Sequence, residues 1–412
     1  MYNSRNRCKQ VTVDGVPSTS IFTRQHASAI TAIYRFAKGP LQTATTSPRF
    51  PAAQVDNQEE VFQAAFKVLD DAIERQAFPG ASIAVTLSGR LVALKAFGRF
   101  TYEASSEAVT TDSIFDLASI SKVVATTAMA MILYERGLLD LEMPIVSLLP
   151  EFAASDPRRS EITLRMLLAH SSGLPAYEKL YLRASTRGEL LRECFSTPLR
   201  DTPGSRVEYS DIGFILLGLA LERIAGEPID LFCQREVFGP LAMSQTRFNP
   251  PAAWKPRIPP TADDQAFRKR VIQGEVQDEN ARVLGGVAGH AGVFSTTSDL
   301  AIFAHTLVCG GAPIVRAQTL QVFTHRESPP ARSSRALGWD TPSAPSQSGK
   351  YFSPSSYGHL GYTGTSLWID PERQLSVTLL TNRTWPDCSN QAIKEVRPRC
   401  HDAVVEALEA SR

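Results

Sequence analysis

Phe115-Asp116-Leu117-Ala118-Ser119-Ile120-Ser121-Lys122 leads directly into the apolar run Val123 to Leu133, and the reading of this stretch decides the rest. As the start of a buried helix it puts Ser119 in the first turn and Lys122 one turn later on the same face. A serine hydroxyl is a weak nucleophile until a neighbouring base takes its proton, and Lys122 is the candidate base. That role predicts a lysine pKa pushed down towards neutrality by burial and nearby positive charge. The helix N-terminus would add positive potential and free N–H groups beside the serine, which suits a developing oxyanion. Read in isolation, the same residues could be a helix cap and a solvated lysine. Two features favour chemistry: among the lysines of the chain this one alone has a serine three residues before it, and it opens the most apolar helical run. A charge in such a run usually has a reason to be there.

Outside this stretch, composition sets bounds. A chain of 412 residues can bury a large core, and one big domain or two interleaved subdomains both fit. Its 43 basic and 42 acidic side chains nearly cancel without long blocks of one sign, so neither nucleic acid nor an anionic membrane is an expected partner. The cysteines (Cys8, Cys194, Cys233, Cys309, Cys388, Cys400) are scattered, with no Cys-x-x-Cys and no zinc-like spacing. They read as ordinary thiols rather than a disulfide framework or a metal site. The apolar run after Ser119 stops at Tyr134-Glu135-Arg136-Gly137, too soon to span a bilayer. Residues 1–55 lack apolar periodicity and read as an irregular tail; within it, Ala27 to Phe36 has no proper hydrophobic region or cleavage site. A cytoplasmic location is therefore expected, with a periplasmic or secreted one if the true start lies elsewhere.

The body is expected over 56–412. Helical spacing of Val61, Phe62, Ala65, Phe66, Leu69 and Ile73 predicts an amphipathic helix over 59–76, ended by Pro79-Gly80. Residues 81–87 and 91–97 read as strands joined by Ser88-Gly89-Arg90 in a hairpin. Over 119–310 the signals are mostly helical: the Ser119 helix, 143–149, 163–170, 189–195, 211–225, 229–238 and 298–308. The proline-rich 249–260 is expected to be irregular. Strand patterns return at 337–339, 365–369 and 374–380, and a helix closes the chain from about 391 to 410. Strands of the two ends must pair across the insertion to bury their apolar faces. The fold class is thus α/β (α+β): an antiparallel sheet, from about 80–100 and 335–382, covered by terminal helices beside a mainly helical subdomain. A site is expected in the cleft between the two parts.

Three further stretches carry candidates. Pro203 to Asp211 places Tyr209 on a loop just before a helix, where its phenol could relay protons between nucleophile and leaving group. Ser210 or Asp211 can cap that helix, and Asp211 reads as the cap. Tyr357-Gly358-His359-Leu360-Gly361-Tyr362-Thr363-Gly364-Thr365 is glycine-punctuated, as where a backbone must approach something closely. His359 there could contact a ligand or be structural. Gly285 to Ser295 is also glycine-dense and, lacking a phosphate-loop lysine, reads as a close-packed loop around His290. His170 reads as a helix C-terminal cap. No serine has glycine both two residues before and two residues after it, so the α/β-hydrolase elbow is absent, and no His-Glu-x-x-His occurs.

Taken together, Ser119-Ile120-Ser121-Lys122, Tyr209-Ser210-Asp211 and His359-Leu360-Gly361 resemble, in order and spacing, the motifs of the penicillin-recognising serine hydrolases. The resemblance is closest to the branch holding class C β-lactamases, D-Ala-D-Ala peptidases and family VIII carboxylesterases. Residues 162–175 and 294–300 also resemble stretches of that branch, and the likeness covers about 59–408. It implies a β-lactamase/transpeptidase-like fold and acyl transfer in two steps. Ser119 would attack the carbonyl, Lys122 and Tyr209 would shuttle the proton, and water would release the acyl group. The backbone N–H groups of Ser119 and Tyr362 would form the oxyanion hole, with His359, Gly361 and Asp211 beside the substrate. No metal or organic cofactor is implied.

Two departures shape the expected substrate. Where class C β-lactamases have Tyr-x-Asn this chain has Tyr-Ser-Asp, and a carboxylate cannot donate the hydrogen bond an amide offers. Where they have Lys-Thr-Gly it has His-Leu-Gly, and a neutral histidine grips a substrate carboxylate weakly. The first expectation is therefore an esterase acting on short acyl esters, with room for slight cephalosporin hydrolysis. The alternatives are a D-Ala-D-Ala carboxypeptidase or penicillin-binding protein, and a non-catalytic binding or scaffold relative.

Overall fold

Ser88 and Gly89 both adopt positive φ, 47° and 83°, the combination that lets a two-residue loop follow the right-handed twist of its flanking strands. They join β1 (Gly80–Leu87) to β2 (Arg90–Gly98), so the expected hairpin forms with Leu87 opposite Arg90. The computed structural model describes residues 55–411 apart from 329 and 332; the expected tail, up to residue 54, and Cys8 lie outside the described residues.

Chain ends and sheet centre meet as the sequence requires. β1 pairs antiparallel with the last strand, β5 (Leu375–Thr381), from Ala81 opposite Thr381 to Leu87 opposite Leu375. β4 (Ser366–Asp370) and β3 (Tyr357–Leu360) follow, so the order is β2-β1-β5-β4-β3 with β3 on the edge. One face is covered by α1 (Gln63–Glu74) and α6 (Ile393–Ala410), which bury Phe66, Leu69, Val396 and Val404 against Val85, Phe97, Val377 and Leu379. Truncating Leu69 here would cost about 2–5 kcal/mol, because the rigid surroundings cannot close the void. The other face receives α5 (Thr297–Val308), whose Ala301 packs on Ala84 and Leu91 while Thr297 Oγ1 bonds Ser82 Oγ at 2.8 Å.

The helical part is built on α2 (Ala128–Glu135) and α3 (Asp211–Ala225). Both are buried over most of their length, which explains why their sequences are apolar all round rather than striped. A short helix, α4 (Glu279–Val283), lies along the chain between α3 and α5. Among the described residues no helix is long and apolar enough to cross a membrane, and the cysteines described are all free thiols.

Four expectations fail. The stretch at 119 is not a regular helix: a 3₁₀ turn over Ala118–Ile120 passes into a widened π turn over Lys122–Thr127 before α2 begins. Tertiary partners fix that geometry, since Lys122 Nζ donates to the His290 carbonyl at 3.0 Å and Thr126 Oγ1 to the Gly289 carbonyl at 2.5 Å. Residues 337–339 are not a strand, because Gly338 turns the chain with φ 85° directly against Thr127. The strand comes later, in the glycine-punctuated run itself. Residues 249–260 contain a 3₁₀ turn over Ala252–Arg257, and the helix expected over 143–149 shrinks to a turn at Ile145–Ser147.

Candidate active site

Ala118 sits at φ 47°, a costly conformation for a side chain with a Cβ. Asp116 holds it there: its Oδ1 accepts the Ala118 N–H at 2.8 Å, and its Oδ2 accepts the Gln277 N–H at 2.7 Å. Burial raises the Asp116 pKa to about 6, although these two N–H groups pull against that shift. The turn is also stitched to the sheet edge, for Thr363 Oγ1 donates to the Asp116 carbonyl at 2.7 Å and Thr365 Oγ1 to the Leu117 carbonyl at 3.0 Å. Ser121 is used as well, accepting the Val293 N–H at 3.0 Å. Ser119 is thereby presented between the helical part and the edge of the sheet.

Lys122 is fully buried, and its ammonium has three acceptors for its three N–H bonds. These are Ser119 Oγ at 2.9 Å, Asp211 Oδ1 at 2.6 Å and the His290 carbonyl at 3.0 Å. Burial alone would lower its pKa, but the Asp211 carboxylate and the Tyr209 phenol outweigh burial and raise it. The expected depression is therefore reversed: Lys122 has a carboxylate in contact where the expectation placed positive charge. Asp211 is also corrected. Ser210 caps α3, its Oγ accepting the Gly213 N–H at 2.9 Å, and Asp211 is the first residue of the helix with its side chain turned to Lys122.

Tyr209 closes the group. Lys122 Nζ lies 4.9 Å from its ring centroid, and its hydroxyl faces Ser119 and Lys122. Burial raises the phenol pKa against the pull of the lysine. His170 lies tilted against its ring at 4.5 Å and stacks on Phe214 at 4.9 Å. His170 is a C-terminal cap as expected, at φ 57° with its N–H on the Leu167 carbonyl and that of Ser171 on the Met166 carbonyl. Its Nδ1 also accepts the Ser210 N–H at 3.0 Å, so it positions the tyrosine loop. Burial first, then the charges of Arg335 and Lys122, keep the ring neutral, its pKa well below the ordinary value.

The opposite wall is β3 and the turn after it. His359 Nδ1 faces the Leu360 carbonyl at 2.8 Å, which can only accept, so Nδ1 carries the proton. Nε2 is left as a buried acceptor without a partner among the described residues. Burial, with Lys122 and Arg335 adding to it, pushes the His359 pKa well down, as neutrality required. The two walls enclose a cleft of about 790 Å³ lined by Ser119, Tyr209, Asp211, His359, Gly361 and Tyr362. Every site residue expected from the sequence thus lies in this cleft or, for Lys122, directly behind it.

Sequence reasoning missed Asp116, Asp278 and Arg335. Asp278 caps α4 and bonds His290 Nε2 at 2.8 Å, steadying the residue whose carbonyl holds Lys122. A short polar residue just before a helix was its visible signal. Arg335 had none, since its place in the cleft depends on a turn that the sequence did not disclose.

A family model described as Beta-lactamase matches residues 62–396. The chain belongs to the Beta-lactamase family. This β-lactamase-family chain is a serine hydrolase, and two curated relatives support the assignment. One, from Escherichia coli (strain K12), bears the name "Putative D-alanyl-D-alanine carboxypeptidase"; it is 32% identical over 74% of this chain and 79% of its own length. The other, from Bacillus subtilis (strain 168), is named N-acetylmuramyl-L-alanine amidase and is 32% identical over 76% of this chain and 80% of its own. Among solved structures, EstCE1, a hydrolase with promiscuous acyltransferase activity, superposes with TM-score 0.68 at 22% identity, covering 84% of this chain and 99% of that one. A class C β-lactamase from Rhodobacter sphaeroides gives TM-score 0.65 at 21%, covering 84% and 99%. These two show the shared fold of this β-lactamase-family chain.

Proposed function

We propose that the chain hydrolyses carboxylic esters and related acyl bonds through an acyl-enzyme on Ser119. The observation that carries this reading is the bridge in which one buried ammonium touches both Ser119 Oγ, at 2.9 Å, and Asp211 Oδ1, at 2.6 Å. Once the ammonium has given up a proton, Ser119 Oγ attacks the carbonyl carbon as its own proton passes to the neutral Lys122 Nζ. Tyr209, facing both groups, delivers a proton to the departing alkoxide or amine. The backbone N–H groups of Ser119 and Tyr362, on opposite walls, receive the developing oxyanion. Water then takes the place of the leaving group and frees the acid. The test is hydrolysis of p-nitrophenyl acetate and butyrate: Ser119→Ala should abolish it, and full activity in that variant would remove Ser119 from the chemistry.

A second reading, cleavage of D-alanyl peptides, is favoured by the name of the Escherichia coli relative and by Arg335. This residue lines the cleft with its guanidinium 5.3 Å from the Tyr209 ring centroid. Among the described residues its only ion-pair partner is Asp340, at 3.8 Å, and that carboxylate already accepts from Ser334 Oγ and the Thr341 N–H. An arginine so placed can take a substrate carboxylate in a two-pronged bond, answering the weak grip of His359. D-alanine release from an acyl-D-alanyl-D-alanine peptide, lost in Arg335→Gln while p-nitrophenyl ester hydrolysis persists, would select this reading. Ester turnover without D-alanine release would select the first.

A further inference from the structure

We propose that Asp211 sets the pH range of the reaction by holding Lys122 as an ammonium, so that Ser119 becomes reactive only when that ammonium loses its proton. The inference rests on the acyl-enzyme reading above and concerns a residue whose backbone position, one past the helix cap, had hidden its role. All three N–H bonds of Lys122 are spent: on the nucleophile, on a carboxylate and on a carbonyl. In that state the lysine donates to Ser119 Oγ and cannot accept its proton. The reactive form must be the neutral amine, which gives up one N–H and turns its lone pair to Ser119. When Oγ then bonds the carbonyl carbon, the Ser119 proton moves to Nζ and restores the ammonium. The proton count closes once Tyr209 has protonated the leaving group and regained its own proton from Nζ.

The other groups around the lysine do not replace Asp211 in this role. From the Tyr209 loop comes a neutral phenol, and from the 170 turn and β3 come His170 and His359, both kept neutral by burial and by positive charge. His290 offers its carbonyl, while Asp278 behind it is engaged with the His290 ring and the Ala281 N–H. Arg335, the other cation against the Tyr209 ring, lies 5.3 Å from its centroid and is not a hydrogen-bond partner of Lys122. Asp211 is thus the one carboxylate among the described residues in direct contact with the ammonium. An asparagine there would keep the shape and lose the charge.

The experiment is kcat/KM for p-nitrophenyl acetate from pH 5 to 10 for the wild type, Asp211→Asn and Asp211→Glu, beside the pH dependence of labelling by a fluorophosphonate. For the wild type, activity should rise on the alkaline side of neutrality. In Asp211→Asn burial is left to act on Lys122 without its counter-charge, so the rising limb should move to lower pH by about one to three units. Labelling should shift in parallel, and Asp211→Glu should keep the wild-type limb with lower rates throughout. Coincident limbs in wild type and Asp211→Asn, or a shift to higher pH, would overturn the proposal. So would an Asp211→Asn protein that is folded by circular dichroism yet unlabelled at every pH, since Asp211 would then belong to proton transfer itself. Failure of the acyl-enzyme reading has a separate sign, activity surviving in Ser119→Ala.

Discussion

The two walls of the cleft differ in how their cations are held. On the helical side Lys122 has every donor matched, Asp211 pairs with it and Ser210 caps the helix that carries Asp211. On the sheet side His359 Nε2 has no partner among the described residues, and the Arg335 guanidinium leans on Asp340 only at 3.8 Å. An unpartnered ring nitrogen occurs on both walls, at His170 Nε2 and His290 Nδ1 as well as at His359 Nε2, so it is the loosely paired Arg335 guanidinium lining the cleft that marks the sheet side as shaped for something that arrives. Under the proposed mechanism the first wall handles protons and the second holds the substrate.

The sharpest way to break that division is Lys122→Met, which should lower kcat by about 10⁴-fold or more with KM little changed. It should also lower the melting temperature, because Asp211 loses its cation, and adding Asp211→Asn should recover stability without recovering turnover. A KM effect in place of a kcat effect would end the division of labour. Next in size is Gly361→Ala, in which the added methyl would collide with Thr365 Oγ1 and lie 2.5 Å from the Leu117 carbonyl. The sheet wall would be prised from the Ser119 turn, and kcat should fall about 10²-fold through lost alignment. Stopped-flow acylation with a p-nitrophenyl ester would show the loss in the first step.

Asp116 joins the walls and gives a stability test. Its folded pKa of about 6 lies above its ordinary value of 3.8, so its contribution is present below pH 4 and is lost as pH rises through 6. Measured by urea unfolding, wild-type stability relative to Asp116→Asn should decline by on the order of 2–3 kcal/mol between pH 4 and 7. A flat difference would mean that the carboxylate is not strained by burial. The smallest effect should be that of His359→Phe, which removes one acceptor; kcat/KM should drop about 3- to 10-fold, in KM, for substrates with a donor to offer. Steady-state kinetics on an amide and an ester of the same acid would resolve it.

Much of this was legible in the chain. Helix α3 and the hairpin at 88–89 were readable because apolar spacing and turn chemistry act over a few residues. Ser119, Lys122 and Tyr209 were readable because their chemistry limits the residue types. Geometry at the nucleophile was not, since the 3₁₀ and π turns depend on carbonyls at 289 and 290, far along the chain. The direction of the Lys122 shift was misread for the same reason: Asp211, 89 positions away, decides it. The turn at Gly338 hid Arg335, and a glycine-rich run disguised the edge strand β3, whose Gly358 is required by the close approach of Trp368.

Arg397 gives the closing helix a part in the chemistry. Buried in α6, it donates to the carbonyls of Gly361 and Thr365, each at 2.7–2.8 Å, and so clasps the bend that carries Tyr362. During synthesis the serine and lysine emerge 278 and 275 residues before that clasp (397 − 119 and 397 − 122). A nascent polypeptide holds the attacking group long before it holds the second jaw, so under the proposed mechanism hydrolysis would wait for helix α6 to dock.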